Sequence, residues 1–382
     1  MIHTNSEISS ADEISIKPVQ TKKDFSLFYK IPSIIYKSDP NWIAPFWTEF
    51  KEFFHHKNPF WSHAEKTMFI AYKNQKPIGR IASFIDHLYC QSYHKKIGFF
   101  GFFESINNKH VAHLLFQSAQ DWLASKDMTL MQGPINGRVD TGCGFLIKAN
   151  NSPPSLLSTY SPIYYTSFCE SFQMRKERDL VEYYVDLRKE FPKIFIEKAK
   201  LCLNNGISVR TFNRLRTNKE LDWWIDLFLE TFKDHWGYIP VSPEEVKTRF
   251  GVKQLRWAVD ARLFHIAEYK NIPIAYLWST PEYNQVFRKM NGKLNPYQLL
   301  RFLNQKNHID IGKLHIIGIK KEWRHKHIGT LLNYHSLQEM KKRGYKGAIV
   351  GWIDEKNKHA HATISLTGAN IIKKYRVYEK KI

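Results

Sequence analysis

Residues 314–332 read Leu314-His-Ile-Ile-Gly-Ile-Lys-Lys-Glu-Trp-Arg324-His-Lys-His-Ile-Gly329-Thr-Leu-Leu332, which is an apolar run, a basic turn and a second apolar segment. The first run predicts a strand, and the spacing of Ile328, Leu331 and Leu332 predicts a helix that begins directly after the turn. The start of a helix presents unpaired N–H groups and a positive dipole end, so cations bunched there are unfavourable unless an anion is bound. The stretch therefore predicts a phosphate-binding turn, with a solvated basic turn as the alternative.

The same pattern occurs earlier in the chain, displaced by 217 residues. Lys96-Ile-Gly-Phe-Phe-Gly101 aligns with Lys313-Leu-His-Ile-Ile-Gly318, and Lys109-His-Val-Ala-His-Leu-Leu115 aligns with Lys326-His-Ile-Gly-Thr-Leu-Leu332. An upstream block around Ile70 and Ile266 repeats with a displacement of 196, so the second copy carries an insertion of 21 residues near 281–296. A duplication of this length predicts two similar units.

Both copies predict the same order of secondary structure. The predicted strands are 67–73, 78–86, 97–103 and 129–132 in the first copy and 263–270, 274–279, 314–319 and 348–353 in the second. The first two strands of each copy are joined by Asn-x-x-Pro or Asn-x-Pro and predict a hairpin. The third strand leads into a helix, which predicts a parallel fourth strand. The fold class is therefore α/β, a mixed-sheet α+β arrangement that is present twice.

Length and composition agree with two packed domains. A chain of 382 residues exceeds the roughly 250 residues at which single cores stop growing. Its 43% hydrophobic content, with 26 Phe, 19 Tyr and 11 Trp, excludes a disordered or collagen-like chain. We expect a flexible N-terminus over 1–13, a first domain over 14–190 and a second over 206–382.

The net charge and the cysteines restrict the environment and the partners. A formal charge of +21 predicts a polyanion or an anionic surface as a partner. The four cysteines lie far apart in sequence, which disfavours a zinc ribbon or a disulfide framework. The N-terminus lacks the pattern of a signal peptide, and no stretch approaches the ~20 apolar residues of a membrane span. We expect a cytoplasmic protein that is able to bind peripherally to the inner face of the membrane.

The basic turn has a specific counterpart in a known family. Arg324-x-x-His327-x-Gly329, between a strand and an amphipathic helix, resembles the Gln/Arg-x-x-Gly-x-Gly/Ala pyrophosphate loop of the GNAT (GCN5-related N-acetyltransferase) superfamily. Downstream, Asn357, Ala360 and Gly368 stand at the family's spacing. The resemblance covers about 208–382, and the repeat extends it to about 14–185. It implies two tandem GNAT-like acyl-CoA N-acyltransferase domains.

The resemblance implies acyl-CoA as a co-substrate, with no permanently bound cofactor. The residues expected to hold it, through the strand edge, the diphosphate loop and the following helix, are Ile317, Ile319, Arg324, Lys326, His327, Ile328, Gly329, Thr330 and Asn357. His327 departs from the family because it replaces a glycine. We expect it to narrow the approach of a phosphate, or to donate a hydrogen bond to it.

The catalytic candidates lie after the last parallel strand and near the C-terminus. Asp354 and Glu355 are the carboxylates nearest to the expected cleft and are candidate bases, with solvated or helix-capping residues as the alternative. The family's tyrosine acid is replaced by Ile364, so that role is vacant or passes to Tyr375 or Tyr378. Core aromatic residues are the alternative for both tyrosines.

The first copy lacks the residues of the loop, since Asn107-x-x-His110-x-Ala112 has neither the arginine nor the glycine. We expect it to bind no CoA and to form a wall or an acceptor site, with 133–138 and 160–165 either as part of that wall or as structural linkers. The aromatic stretch 41–61 predicts either core or a lid that rests on a membrane. His55-His56 and His359-x-His361 lack metal-ligand spacing, so no metal site is expected.

Three functions are compatible with these observations. The leading one is an acyl-CoA-dependent N-acyltransferase that acts on an amine, including a long-chain or lipid amine. The second is an aminoacyl-tRNA-dependent transferase, also a tandem GNAT fold, whose tRNA partner would suit the positive charge. The third is a binding protein on the same scaffold. No sequence-specific DNA binding is expected, because no DNA-binding motif is visible.

Overall fold

The computed structural model describes residues 14–148, 151–250 and 260–382. The predicted flexible N-terminus, residues 1–13, lies outside them. The first half contains β1 (Ile14–Pro18), α1 (Lys22–Ile35), α2 (Trp47–Phe53), β2 (Ala64–Lys73), β3 (Lys76–Asp86), α3 (His87–Tyr93), β4 (Ile97–Ser105), α4 (Lys109–Ala124), β5 (Leu130–Gly133), β6 (Phe145–Lys148), α5 (Tyr165–Ser171) and β7 (Arg175–Asp186).

Helix α6 (Lys193–Asn204) connects the two halves. The second half contains β8 (Ile207–Thr211), α7 (Thr217–Thr231), α8 (Pro243–Arg249), β9 (Phe264–Tyr269), β10 (Ile272–Pro281), α9 (Asn284–Phe287), α10 (Pro296–Gln305), β11 (Ile311–Ile319), α11 (Ile328–Lys342), β12 (Gly347–Asp354), α12 (Lys358–Ser365) and β13 (Asn370–Lys381). The eight predicted strands are confirmed, and the mixed α/β fold class is correct.

The first hairpin of each half forms for the same local reason. Asn74 and Gln75 between β2 and β3, like Lys270 and Asn271 between β9 and β10, have positive φ angles. Two successive residues in the left-handed region make the tight turn whose twist matches that of antiparallel strands. The asparagine-containing turns in the sequence therefore predict the hairpins correctly.

The strands of both halves form one continuous sheet, in the order β1-β2-β3-β4-β5-β13-β7-β12-β11-β10-β9-β8, with β6 paired to β13. The two halves exchange their last strands. Strand β13, at the end of the second half, pairs with β5 of the first, and β7, at the end of the first half, pairs with β12 of the second. Because β13 and β7 also pair with each other, the sheet passes from one half to the other without a break.

Two faces of this sheet carry different cores. On one face, α11 packs with α6 in a core that includes Leu314, Leu332 and Val350. On the other face, one core contains residues from both halves, such as Phe50, Trp224 and Tyr375. We call this second core the shared core. The aromatic stretch 41–61 contributes Phe50 and Phe54 to it. Phe46 and Phe60 are buried as well, so the core interpretation of that stretch is confirmed.

The insertion of the second copy lies between β10 and β11, as the change of displacement predicts. The connection there spans residues 282–310 and contains α9 and α10, whereas β3 and β4 are connected by 87–96 with α3. Phe302 of α10 packs against Phe287 of α9, and Phe287 in turn contacts Phe46 of the first half. The insertion therefore covers part of the first half on the side of the shared core.

Candidate functional site

The basic turn between β11 and α11 has a backbone suited to an anion. His325 and His327 both have left-handed φ angles, 65° and 59°. The φ angle of His327 suits the glycine that the family has at this position, although histidine is among the residues that tolerate this conformation. In the described structure His327 makes no side-chain cap to α11, so the first N–H groups of the helix have no partner from this residue. A turn with left-handed residues before a helix start directs backbone N–H groups to one point, as anion sites do.

The side chain of Arg324 does not extend freely from this turn. Its guanidinium donates to a carboxylate oxygen of Asp234 at 2.9 Å, to the carbonyl oxygen of Thr231 at 3.1 Å and to that of Ile319 at 3.3 Å. Thr231 is the last residue of α7, so Arg324 fastens the turn to that helix. The Lys326 ammonium lies 4.7 Å from the ring centre of Trp323. A contact of Arg324 and Lys326 with a diphosphate stays a prediction.

Next to this turn, the parallel strands β11 and β12 separate. Their ladder runs from Ile311↔Gly347 to Leu314↔Val350 and then stops, although β11 continues to Ile319 and β12 to Asp354. His315 is the extra residue of a β-bulge at this point, since Leu314 pairs with Ser279 and Ile316 with Trp278. Bulges bend a strand and redirect side chains. The result is an opening between two neighbouring strands.

The walls of the opening bring several predicted residues together. A Cβ atom at Gly329 would lie 3.4 Å from Cδ1 of Ile319, 3.6 Å from Cδ1 of Ile317 and 3.7 Å from Cγ2 of Thr363 on α12. The ring centre of His325 in the turn lies 4.4 Å from that of His359 on α12. Helices α11 and α12 therefore flank the separated strands, and Gly329 leaves space between them.

Other predicted binding residues have structural roles. Asn357 caps α12, because its side-chain oxygen accepts a hydrogen bond from the N–H of Ala360 at 3.1 Å. The side chains of Ile328 and Thr330 are buried in the protein. These two residues can contact a ligand only through their backbone.

Asp354 and Glu355 are both held in ion pairs with β7. Asp354 lies 2.6 Å from the guanidinium of Arg178, and Glu355 lies 2.6 Å from the ammonium of Lys176. Glu355 also accepts the N–H of Asp179 at 3.0 Å. To act as a base, either carboxylate would first have to leave its cation. Their catalytic role stays a prediction.

The two tyrosines of β13 lie in different places. Tyr375 is buried in the shared core and its hydroxyl donates to Glu182 at 3.2 Å. Tyr378 is buried three residues further along, in the core of the first half beside Phe145 and Tyr165. Strand exchange explains the difference, because β13 runs from the second half into the first. Of the two hydroxyls, only that of Tyr375 lies beside the buried carboxylate of Glu182.

Tyr375 belongs to a buried polar network that the sequence analysis missed. Glu182 of β7 pairs with Lys313 of β11 at 2.7 Å and accepts hydrogen bonds from Ser155 and Ser158. Burial alone would raise the pKa of Glu182, but its contacts with Lys313 and the two hydroxyls prevail and lower it to about 2. The carboxylate is therefore ionised at neutral pH, on the face of the sheet opposite α11.

His315 is the second group that the sequence analysis missed. Burial, with the charge of Lys313 nearby, lowers its pKa to about 3, so the imidazole is neutral at pH 7. Its Nε2 lies 2.8 Å from the hydroxyl of Thr280, which itself donates to the carbonyl oxygen of Pro281 at 2.9 Å. Both contacts are satisfied if Nε2 carries the proton, and this leaves a lone pair on Nδ1. The ring lies 5.0 Å from that of Trp278, on the side of the shared core.

Glu282, at the start of the insertion, is also buried. Burial raises its pKa to about 6. Its carboxylate accepts the N–H of Leu156 at 2.9 Å and that of Asn284 at 3.2 Å. The loop that carries Ser155 and Ser158 is thus bound to the insertion of the second half.

A further polar cluster joins the halves. His63 lies 3.0 Å from Asp86 and 3.1 Å from Glu245 of α8, and Glu245 also pairs with Arg138 at 2.8 Å. Burial would lower the pKa of His63, but its hydrogen bonds to the two carboxylates prevail and raise it to about 9. Arg138 belongs to the predicted wall 133–138, which therefore does contact the second half.

Two other features, a metal site and a membrane-spanning helix, are absent from the described ranges. Across residues 14–148, 151–250 and 260–382, no three or more His, Cys, Asp or Glu side chains are arranged to hold a metal ion. No helix in the same ranges has the length and apolar character needed to cross a bilayer.

A strand pair that opens beside an anion-type helix start, within a duplicated mixed sheet, defines a tandem GNAT architecture. Residues 222–367 match the Acetyltransferase (GNAT) family. A tandem GNAT protein from the clavulanic acid biosynthesis pathway superposes with a TM-score of 0.57 at 11% identity, over 97% of this chain and 98% of that one. Residues 222–367 therefore form a domain of the GNAT family, the fold of the chain is that of tandem GNAT proteins, and the protein is an N-acyltransferase.

Two curated relatives match almost the whole chain. A bacterial ceramide synthase from Caulobacter vibrioides is 28% identical over 383 residues, which cover 98% of this chain and 99% of the relative. Protein YghO from Escherichia coli is 26% identical over 373 residues, with 96% and 95% covered. The similarity therefore extends over both halves.

Proposed function

We propose that the protein transfers an acyl group from an acyl-CoA thioester to the amino group of a long-chain amino alcohol or a related lipid amine. The observation that carries the proposal is the opening between β11 and β12, with the turn 320–327 at one end and the shared core on the far face. The family match supports the donor class. The likeness to a bacterial ceramide synthase supports the acceptor, because a ceramide is the amide of a fatty acid and a long-chain amino alcohol.

The donor would bind along the separated part of β11. Backbone N–H groups of Lys326–Thr330 receive the diphosphate at the start of α11, where the helix dipole favours negative charge. The pantetheine amides pair with the edge of β11 near Ile317 and Ile319, as an added strand would. Gly329 leaves space for the pantetheine chain. Arg324 holds the turn in position through its hydrogen bonds to Asp234 and Thr231.

The reaction forms one bond and breaks one. The amine nitrogen attacks the thioester carbonyl carbon, the C–N bond forms, the C–S bond breaks and its electron pair leaves with the sulfur of CoA. Backbone N–H groups of β11 beyond the ladder stabilise the oxyanion. The nitrogen loses a proton to a base, and the thiolate takes one up.

We assign proton removal to His315 ahead of Asp354 and Glu355. His315 immediately follows Leu314, the last β11 residue in the ladder with β12, and it is neutral with a lone pair on Nδ1. Its low pKa makes it a weak base. Proton transfer would therefore accompany C–N bond formation, when the nitrogen becomes strongly acidic. Tyr375, through Glu182 and Lys313, would shape the acceptor side.

The proposal is tested by thiol release from acyl-CoA of chain lengths 2 to 18 with a long-chain amino alcohol, together with mass detection of the amide. We expect release only when donor and amine are both present. Arg324→Ala should weaken the rise in melting temperature caused by the donor, with roughly 10-fold lower affinity, because a charged hydrogen-bonding anchor of the turn is lost. Asn107→Ala, at the matched position of the first half, should leave donor binding unchanged.

Two results would count against the proposal. Absence of donor stabilisation together with salt-sensitive binding of tRNA would favour the aminoacyl-tRNA route. Absence of any turnover or donor binding would favour a binding protein on this scaffold.

A further inference from the structure

The insertion of the second copy has an unusual charge. Between Glu282 and Asp310 it contains no Asp or Glu, and it carries five cations, Arg288, Lys289, Lys293, Arg301 and Lys306. Four of these cations are exposed, and the fifth, Arg301, is half-buried. The segment therefore presents a positive surface without internal neutralisation.

Helix α10, within this insertion, has its apolar side turned outward. The side chains that face the protein are mostly polar, since Gln298, Arg301 and Gln305 are half-buried together with Phe302. The side chains on the other side are mostly apolar and exposed, with Asn304 as the polar exception. The apolar ones are Tyr297 (69%), Leu299 (53%), Leu300 (63%) and Leu303 (45%), with Leu294 (53%) just before the helix. A surface helix of a globular protein normally has the reverse arrangement.

The orientation of α10 is fixed by specific contacts. Phe302 lies 5.5 Å from the ring of Tyr283 and 5.8 Å from that of Phe287. Arg301 donates to the carbonyl oxygen of Lys289 at 3.2 Å. The side chain of Asn295 caps the first turn by accepting the N–H of Gln298 at 2.9 Å. The helix is thus held with four large apolar side chains directed away from the protein.

We propose that α10 docks the protein on the surface of an anionic phospholipid bilayer. The outward Leu and Tyr side chains would enter the boundary between headgroups and acyl chains, as in amphipathic helices that lie in a membrane surface. The exposed Arg288, Lys289, Lys293 and Lys306 of the same insertion match anionic headgroups in charge. The absence of carboxylates from residues 283–309 favours a lipid surface over a protein partner, whose own charges are commonly mixed.

Docking on the bilayer would also orient the face of the sheet on which we propose that the acceptor amine binds. Asn284 donates to the carbonyl oxygen of Pro154 at 3.0 Å, and Glu282 accepts the N–H of Leu156, so the insertion is bound to the loop that carries Ser155 and Ser158. That loop covers Lys313 and Glu182 on the face opposite α11. A lipid amine could then reach this face from the bilayer. This last step rests on the proposed function, whereas the docking itself does not.

The test is co-sedimentation of the full chain with vesicles of neutral phosphatidylcholine, alone or mixed with 30% phosphatidylglycerol by composition. We expect binding to the anionic vesicles and little binding to the neutral ones. Leu299→Gln/Leu300→Gln should weaken binding at least about 10-fold, because both side chains lose their apolar insertion. Lys289→Gln and Lys293→Gln should each weaken it about 5-fold. Leu215→Gln is the matched control, since Leu215 is 96% exposed and lies outside the insertion.

The inference is overturned if the double leucine variant binds anionic vesicles like the unchanged chain, or if the unchanged chain binds neither vesicle. It is also overturned if sedimentation velocity shows that the leucines instead mediate a dimer. Thiol release with a short-chain soluble amine separates this inference from the proposed function. The double variant should retain that activity, and vesicle binding without any activity would contradict only the proposed function.

Discussion

The two halves have the same sheet and helix order, yet they differ where a strand meets a helix. In the second half eight residues, 320–327, connect β11 to α11, whereas three residues, 106–108, connect β4 to α4. His327 and His110 occupy matched repeat positions. His327 has a left-handed backbone in the turn, while His110 lies in the first turn of α4. In the repeat register the strand of the first half ends three residues later and its helix begins two residues earlier, so the first half has no turn of this kind.

The openings of the two halves differ in the same way. In the first half, the chain after β5 stays against β4, because the N–H of Ile135 donates to Phe100 and the side chain of Asn136 accepts the N–H of Phe102, both at 2.7 Å. A Cβ atom at Gly101 would overlap the carbonyl oxygen of Ile135. In the second half β11 and β12 separate. The first half therefore keeps the same architecture without this opening.

Replacement of Lys313 should give the largest stability difference between the halves. Lys313→Met removes the cation from Glu182, which then remains buried without its ion pair, so the free energy of unfolding should fall by about 3–5 kcal/mol. Lys96 occupies the matched repeat position but is exposed, so Lys96→Met should change it by less than about 0.5 kcal/mol. Urea unfolding of both variants checks the pair. If both variants lowered the free energy of unfolding equally, the ion pair of Lys313 with Glu182 would make no specific contribution to stability.

Replacement of His315 tests whether chemistry is confined to the second half. His315→Gln should lower kcat roughly 10²- to 10⁴-fold through the loss of a proton acceptor, while donor-induced stabilisation is retained. His113→Ala, a half-buried histidine in the first half, should leave kcat unchanged. The readout is thiol release at several pH values. If His315→Gln changed kcat by less than about 3-fold, Asp354 and Glu355 would again be the leading candidates for the base.

The contact between the halves should respond to pH through His63. Its pKa is about 9 in the fold against about 6.5 unfolded, so its contribution to stability is complete below pH 6.5 and is lost as pH rises to 9. Urea unfolding between pH 6 and 9 should show this decline, and His63→Gln should flatten it. His87→Gln, at an exposed histidine, is the control. The same slope in the His63 variant would assign the decline to other groups.

The smallest expected effect is the difference in stability between glycine variants of the matched histidines, His110 and His327. His110→Gly should destabilise the protein by about 0.5–1 kcal/mol, because glycine is unfavourable in a helix. His327→Gly should be neutral or stabilising, because glycine accepts a positive φ without strain. Thermal unfolding of the two variants measures the contrast. If both variants changed the stability in the same direction, the inferred difference in backbone conformation between the two positions would be contradicted.

The local parts of the fold could be predicted from the sequence. The hairpins follow from Asn74 and Asn271, and the helix after β11 follows from the spacing of Ile328, Leu331 and Leu332. Strand exchange could not be predicted, because β7 and β13 are equivalent last strands and local patterns do not specify which neighbour each one joins. The position of Tyr378 in the first-half core follows from that exchange.

The parts of the candidate site that are continuous in sequence could be proposed from the sequence, and the parts that are not were missed. The cations of the turn 320–327 and the resemblance to the family's loop point to this turn and to Gly329. Glu182 and Lys313 lie 131 residues apart, so no motif connects them. His315 lies within an apolar strand pattern, so the sequence does not single it out. The β-bulge directs its side chain toward Trp278. The outward apolar side of α10 was missed as well, because an amphipathic pattern does not reveal which side faces the protein.

The exchange of last strands also has a consequence for synthesis of the chain on the ribosome. Gly133 of β5 pairs with Tyr378 of β13, so the first half cannot complete its sheet until almost the whole chain has been made. At roughly 5–20 residues per second, that interval is on the order of ten seconds or more. During this time the edge of β5 is unpaired in the nascent chain and is able to associate with other strands. Chaperone binding to the emerging first half would therefore protect the yield of this protein more than that of a chain with two self-contained domains.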